Sequence, residues 1–510
     1  MNQLLPAAGL KMNEENNKTY RVRGTIGGDK INYPGEVSAQ TADMDAVKIL
    51  LQAVLHDKYI GKLAHTEFIT LDIKDYYLGA PLERAEYVRI HTKFIPEKTM
   101  IKYDLKKYVH NEGVLFEVNK CMYGLPQAGR LSQQRLIKHL KKHGYEQDEH
   151  THCLFKHDNG IYFTLVVDDF GVKIPNKKAA LHLIDSLQEM YKLHIDWKGK
   201  KYLGFHIHFN HREQEVVLDM PKYVEHMIAQ LYPNTTIKGK DSPAVYQPPR
   251  MGKQGQQPTQ DDNSEALNAH DTNRVQKIVG SCLYYSRAID ATIVQATNSV
   301  SSEQAKPTQK VLKDAERIVQ YLSKYPSNKL VYKASDMILH SHSDASYLSR
   351  TKSRSVGGGF HYLGWRNQPN RLNGPLHTTS YIIPVICQAV LEAEYGACFH
   401  NGKIIARLRT ILESFGYKQP QTPLQCDNQC AVGLANDTLA ARKSKSIDMN
   451  FHWIRDRVRQ KQIDVYWRPG EGNMADFFTK PLPVHKHKVM MKLLVRIAQN
   501  AETIARMQRT

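Results

Sequence analysis

Seven cysteines, an odd number, are scattered through 510 residues without a single CxxC pair. That scarcity excludes a disulfide framework and a zinc ribbon, and it suits a reducing compartment. Even the nearest two, Cys426 and Cys430, bracket an acidic-amide step with no further metal ligands close by in sequence. Long apolar runs are missing as well: none approaches the ~18 residues of a membrane-spanning helix. The opening MNQLLPAAGLKMNEENNKTY lacks the charged-then-apolar layout of a secretory leader. The expectation is a protein that is neither secreted nor inserted in a membrane.

What is abundant is positive charge. Lysine and arginine number 70 against 51 acids, a formal net charge of +19. Such a balance favours a polyanionic partner, because neutralising phosphates releases counterions and supplies affinity without reading sequence. An apolar fraction of 41%, with 27 Tyr and 14 Phe, is enough for several cores. At this length several domains are expected.

Texture along the chain divides it further. Residues 1–19 are expected to be disordered. From 20 to 232, strand-like runs (TEFITLDIKDYY, GIYFTLVVDDFGVKI) alternate with helical ones (AGRLSQQRLIKHLKKHG, NKKAALHLIDSLQEMYKL), which predicts an α+β domain. Residues 233–270, rich in Pro, Gln, Asn and Gly, read as a linker or loop. A helical connection follows over 271–335. Between 336 and 482 come three strands (MILHSHSDASY, SVGGGFHYLG, TSYIIPVICQAV), a long helix from Leu391, the strand TPLQCDN and two closing segments, a second α/β unit. Residues 483–510 read as a basic tail helix.

Two sets of acids carry chemistry. In LVVDDFGVKI, Asp168 and Asp169 sit at the tip of a tight hairpin. Like charges side by side need either solvent or a cation, and taken alone the pair fits a solvated turn. Asp72 ends another apolar strand in FITLDIKDYYLG, and two strand-terminal acidic sites could converge on a pair of Mg²⁺ ions.

At this point the chain resembles the reverse transcriptase of copia-type long-terminal-repeat retrotransposons. The resemblance rests on LDIKDYYLGAPLERAEYVRI, CMYGLPQAGRLSQQRL, LVVDDFGVKI and KYLGFHIHF, in that order. It implies a right-hand-like polymerase of fingers, palm and thumb, with Asp72, Asp168 and Asp169 as catalytic and metal-binding carboxylates. It further implies Tyr77 beneath the nucleotide sugar, Gln127 against the incoming nucleotide and Leu203 and Gly204 in the strand pair that grips the primer. Arg21, in YRVRGTIGG, corresponds to the region that holds the triphosphate. Read without the resemblance, Tyr77 fits a buried strand aromatic, Gln127 follows a Pro turn and Gly204 marks a bulge. Two departures stand out: Val166 replaces the usual aromatic of the hairpin, and the upstream fingers segment is shortened.

In the C-terminal unit Asp344 ends a strand, Glu394 lies early in a helix with Glu392 as a rival, Asp427 follows a strand and Asp476 opens a short helix. Four acids can hold two ions and position water against a phosphodiester. Each alone has a plainer reading: Asp476 as a helix-start acid, Glu394 as a solvated helix residue, Asp427 with Asn428 as a turn. Jointly SDASY, EAEYGA, CDNQCAVGLAND and ADFFTKPL resemble the ribonuclease H domain of the same polyproteins. That resemblance makes all four acids metal-binding catalytic residues. Arg442, Lys443 and Lys445 in the basic stretch beside them suit backbone phosphates. The mobile histidine of bacterial relatives has no counterpart in RPGEGNMAD.

The resemblance implies Mg²⁺ at both sites, two ions at each, with Mn²⁺ able to replace it. The implied partners are an RNA template, a DNA primer, an RNA–DNA hybrid and deoxynucleoside triphosphates, together with transposon capsid or integrase proteins. The expected location is the cytoplasm, in virus-like particles, or the nucleus. No Asp-Thr/Ser-Gly protease signature, zinc knuckle or integrase His/Cys pattern is found. The competing expectation is a decayed or domesticated nucleic-acid-binding protein, or an active ribonuclease H beside a dead polymerase.

Overall fold

The computed structural model describes residues 2–12, 18–28, 31–252, 255–439 and 448–497. Arg442, Lys443 and Lys445 lie outside them. The chain forms two compact units, each assembled from two stretches: Met1–Asp43 with Phe68–Lys198, and Met44–Glu67 with Gly199–Thr510. The break expected near residue 232 does not coincide with any of the three junctions between these stretches, and the first helix, α1 (Met44–Leu55), belongs to the second unit.

Strands of the first unit, in chain order, are β1 (Asn2–Met12), β2 (Lys18–Ile26), β3 (Glu67–Ile73), β4 (Pro81–His91), β5 (Gly113–Lys120), β6 (Tyr162–Val166), β7 (Asp169–Ile174) and β8 (Leu193–Asp196). Its two long helices are α2 (Ala128–Lys142) and α3 (Lys177–Gln188). β1 pairs antiparallel with β2, so the stretch expected to be disordered contributes a strand. One sheet runs β2-β1-β4-β5 and ends on the short Val109–His110; the other runs β8-β3-β7-β6 and continues into Leu154–Lys156 and Glu146–Gln147.

The second sheet positions the first acids. β3, β6 and β7 are buried almost continuously rather than at alternate residues, the pattern of strands covered by helices. Phe163, Leu165, Phe170 and Val172 share one core with Leu136 and Leu140 of α2 and with Ala180, Leu183 and Leu187 of α3. Those helical residues recur three or four apart, one face of a helix. α3 starts where Asn176 caps it, its side chain accepting from the Ala179 amide at 2.9 Å.

In the second unit the strands are β9 (Phe205–Asn210), β10 (Glu215–Asp219), β11 (Leu330–Lys333), β12 (Ile338–Arg350), β13 (Arg354–Gly364), β14 (Pro375–Ile382), β15 (Thr422–Cys426) and β16 (Ile463–Trp467). The helices used below are α4 (Ala269–Ala288), α5 (Val294–Ser301), α6 (Gln309–Lys324), α7 (Val390–Ser414), α8 (Asp448–Arg459), α9 (Asp476–Thr479) and α10 (Val484–Leu494). A five-stranded sheet runs β14-β13-β12-β15-β16, antiparallel over its first three strands and parallel over the rest. That order and those directions are those of a ribonuclease H-like fold, and the chain as a whole is of the expected α+β class.

Small residues let this unit close. Gly358 and Gly359 of β13 face the chain around α9 and α7: a Cβ on Gly358 would lie 2.8 Å from the Ala475 carbonyl, and one on Gly359 would meet the Asn401 side chain. Asn401 then bonds Ser343 and the Gly358 carbonyl, both at 2.9 Å, tying α7 to the strand that carries Asp344. β14 is shorter than TSYIIPVICQAV suggests: it ends at Ile382, just before Pro384, which has no amide hydrogen to donate to a ladder.

Residues 233–268 hold only the two-residue strands Met251–Gly252 and Gly255–Gln256 and an isolated bridge among the described residues; α4 then begins under an Asn268 cap. Of the tail helix expected over 483–510, residues 498–510 lie outside the described residues. α10 stops at Leu494, and Arg496 pairs its backbone with Lys329 and its guanidinium with Glu215 at 2.7 and 2.8 Å.

α1 is buried from Asp45 to Leu55, its polar Asp45, Lys48 and Gln52 spaced three and four apart along one face. Its one buried acid, Asp45, bonds His377 at 2.8 Å and also Arg407. Burial alone would raise this carboxyl, but His377, Arg407 and Lys48 outweigh it and hold it far below the usual carboxylate range. Asp45→Asn is expected to destabilise the second unit by about 3 kcal/mol, the cost of stripping one partner from a buried ion pair. The folded-state pKa is depressed, so the contribution is complete above the unfolded value near ~4 and fades as pH falls towards the folded one. Urea midpoints at pH 7 and below pH ~4 check this: equal gaps between wild type and variant at both would refute it.

Candidate active sites

The first cluster grows from three backbone facts. Asp169 pairs with Val166 across a two-residue turn, so Val167 and Asp168 form the tip between β6 and β7. Val167 takes φ 61, a left-handed value costly for a β-branched residue, of the kind that persists where surrounding structure enforces it. The Ile73 amide donates to the Asp168 carbonyl at 3.1 Å, which fixes the hairpin tip against the end of β3, where Asp72 sits.

Three carboxylates thus meet. Burial first, then the charges of Asp168 and Asp72, push the Asp169 carboxyl up to about 6. Such mutual repulsion is what a bound cation relieves, and the donor set of hard carboxylate oxygens suits Mg²⁺ or Mn²⁺. Tyr77 lies beside the cluster: burial, Asp168 and Tyr123 all raise its phenol. It meets the Tyr123 ring edge-on at 5.2 Å and Tyr76 at 5.5 Å. Two neighbours went unseen in the sequence. Tyr123 is one; the other is His194, which the β3–β8 register sets directly opposite Asp72.

The remaining expected contacts are placed differently. Gln127 is 1% exposed, donates to Glu86 at 3.1 Å, and its Oε1 has no hydrogen-bond partner among the described residues. Arg21 lies on β2 opposite Gly9. Leu203 and Gly204 belong to the second unit, at the tip of a hairpin with φ 49 and 79, and Tyr284 donates to the Leu203 carbonyl at 3.0 Å. Two successive positive φ values make a tight turn that matches strand twist.

Another surface of the first unit carries exposed aromatics under lysines. Lys93 lies over Phe94, Lys102 over Tyr103 and Lys107 over Tyr108, at 4.9, 5.1 and 5.1 Å. The signal was present in KFIPEKTMIKYDLKKYVH, where lysine and aromatic residues interleave.

The second cluster lies on the five-stranded sheet. Asp344 of β12 is pushed up to about 7 by burial and by Asp476 and Asp427, against Lys480 and a bond from Thr479. Thr479 donates that bond at 2.6 Å. Glu394 is raised well above its ordinary value by burial, Asp344, Cys426 and Asp427, and its buried Oε2 has no partner among the described residues. Burial and Asp476 raise Asp427. Asp476 behaves oppositely: burial would raise it, but Lys480 at 2.5 Å and Lys486 at 2.8 Å hold it low.

All four expected acids therefore converge. Between Glu392 and Glu394 the choice is clear. Glu392 accepts from the Gln388 amide at 2.7 Å, half-buried at the start of α7, while Glu394 faces the other acids. Gly470 keeps its side open, since a Cβ there would lie 2.8 Å from Asp427 Oδ2. An orphaned buried oxygen among carboxylates is the mark of a site that fits divalent cations.

Lys480 is the residue the sequence did not single out. Although burial works against its charge, Asp344, Asp476 and Asp427 raise its pKa, so the ammonium answers the same charges a metal ion would. Lys480→Gln is expected to tighten Mn²⁺ binding by about tenfold, one unit of neighbouring-charge effect. Titration followed by electron paramagnetic resonance reads this directly; unchanged or weaker binding would show that Lys480 does not compete.

Residues 9–245 match the family described as reverse transcriptase (RNA-dependent DNA polymerase). A retrovirus-related Pol polyprotein from transposon TNT 1-94 of Nicotiana tabacum is 23% identical over 83% of this chain and 30% of its own length. The truncated transposon Ty1-A Gag-Pol polyprotein of Saccharomyces cerevisiae is 22% identical over 94% of this chain and 38% of its own. The chain thus spans roughly a third of the curated relatives it matches. Among solved structures, a foamy viral protease-reverse transcriptase in complex with double-stranded DNA aligns with a TM-score of 0.48 at 12% identity, covering 88% of this chain and 63% of that one.

Proposed function

We propose, on the premise that this chain is a segment of copia-type retrotransposon Pol in which a reverse transcriptase region precedes a ribonuclease H-like one, that it copies RNA into DNA and cleaves the RNA of the resulting hybrid. The observation that carries this reading is the existence of two separate carboxylate clusters, each with a carboxyl raised by burial and by the charges of its neighbours. Divalent cations, Mg²⁺ or Mn²⁺, would supply the chemistry of lowering the pKa of the attacking hydroxyl or water and stabilising charge on the phosphate.

The protein's own residues do the rest. Asp72, Asp168 and Asp169 hold the cations for synthesis, and the strained Val167 turn presents Asp168 at the hairpin tip. Tyr77, packed between Tyr76 and Tyr123, offers a flat wall beside the cluster on which a deoxynucleotide sugar rests. Gln127 stays buried, bonded to Glu86. The lysine-covered Phe94, Tyr103 and Tyr108 suit a single-stranded RNA template, stacking bases while the ammonium groups meet phosphates. In the second unit Asp344, Glu394, Asp427 and Asp476 hold the cations for cleavage, and Thr479 fixes Asp344. Leu203 and Gly204 form a hairpin tip suited to a primer backbone.

Two assays on one preparation test the reading: extension of a DNA primer on an RNA template, and cleavage of a labelled RNA–DNA hybrid, both with Mg²⁺ and deoxynucleotides where needed. Absence of both would leave a nucleic-acid-binding protein, and cleavage alone would leave a ribonuclease.

A further inference from the structure

We infer that His139, His143 and Glu189 form a transition-metal site, distinct from both carboxylate clusters, that takes Zn²⁺. A ring nitrogen of each histidine and a carboxylate oxygen of Glu189 lie within 4.8 Å of one another. His139 and His143 stand one helical turn apart at the end of α2, their rings 4.8 Å apart, so both face the same way. Glu189 comes from the end of α3, and its Oε2 is already 3.1 Å from His143 Nε2.

The chemistry of this donor set differs from that of the two acidic sites. Two imidazoles and one carboxylate suit Zn²⁺, which binds them at about 2.0–2.1 Å and so needs its donors roughly 3.3 Å apart, a closure of at most about 1.5 Å from the present spread. A His-x₃-His spacing on a helix is within the range such sites use. His139 Nε2 is 2.6 Å from the Ser186 carbonyl, which fixes its tautomer and leaves the other nitrogen with its lone pair. That carbonyl-to-imidazole contact is how metal-bound histidines are held from behind.

The electrostatics also favour a cation. His143 is the C-cap of α2 and Glu189 the C-cap of α3, so the negative ends of two helix dipoles converge on the same point. His139 is buried and backed by Tyr191, while Glu189 is exposed, which leaves an entry from solvent for the metal and for a water as fourth ligand. Occupied, the site would clamp together the two helices that cover the sheet bearing Asp72, Asp168 and Asp169.

Co²⁺ added to the full chain in excess Mg²⁺ tests this, since Mg²⁺ occupies the oxygen sites and tetrahedral Co²⁺ with nitrogen ligands absorbs strongly in the visible. One equivalent of intense absorbance is expected, abolished by one equivalent of Zn²⁺, with affinity at least about tenfold weaker in Glu189→Gln and in His143→Asn. Zn²⁺ should also raise the melting temperature of the wild type and not of the variants. Glu189→Gln retains a hydrogen bond to His143, so it should fold normally without metal. No intense band, or a band equally strong in both variants, would overturn the assignment and leave the three residues as a clasp between helices.

Discussion

Asp168→Asn should reduce primer extension on an RNA template by about 10³-fold, the upper range for removing one group that stabilises developing charge, while hybrid cleavage stays within about twofold of wild type. The substitution keeps the size of the side chain and its place at the turn between β6 and β7. It removes one of the two charges that raise Asp169, so the Asp169 carboxyl should fall back towards its ordinary value. In the wild type that raised value, about 6, means cations must displace a proton as pH drops, so extension should weaken below pH ~6 and recover partly with added Mn²⁺. An extension rate that is flat between pH 5 and 7 would contradict the role given to Asp169. Loss of both activities in a folded Asp168→Asn protein would contradict two independent centres.

The converse change, Asp427→Asn, should lower hybrid cleavage by about 10²–10³-fold and leave extension intact. Asp427 sits at the end of β15, exposed enough to tolerate the amide, and belongs to a different compact unit from Asp168. A sharper comparison uses the two glutamates of α7. Glu394→Gln should match Asp427→Asn in effect, whereas Glu392→Gln should leave cleavage near wild type, because Glu392 is spent on a backbone amide. Gel-resolved cleavage of an end-labelled hybrid separates these outcomes; equal losses in both glutamine variants would mean that α7 is simply intolerant.

Much of the first cluster could be read from the chain alone, for a physical reason. A strand that ends in an acid, and a hairpin that holds two at its tip, are local patterns with a fixed side-chain period. The α+β class followed from the same alternation of periods. What could not be read depends on which surfaces meet. Lys480 looks like any surface lysine until α9 brings it against Asp344 and Asp427. Glu392 and Glu394 differ by two positions, which on a helix is a rotation of about 200°, so only the packing of α7 decides between them. Gln127 stood out as part of a motif, but burial against Glu86 is a property of the folded sheet. His139 and Glu189 are fifty residues apart and meet only because α2 and α3 end together.

The placement of α1 bears on how the chain is made. Asp45 leaves the ribosome 332 residues before His377, its partner, and at 5–20 residues per second that interval is roughly 15–70 s. Throughout that wait a twelve-residue segment rich in apolar residues has only part of the surface that finally covers it. Nascent chains of this protein should therefore engage holding chaperones early in translation, and fragments that stop before the second unit is complete should aggregate even though they contain every acid of the first cluster.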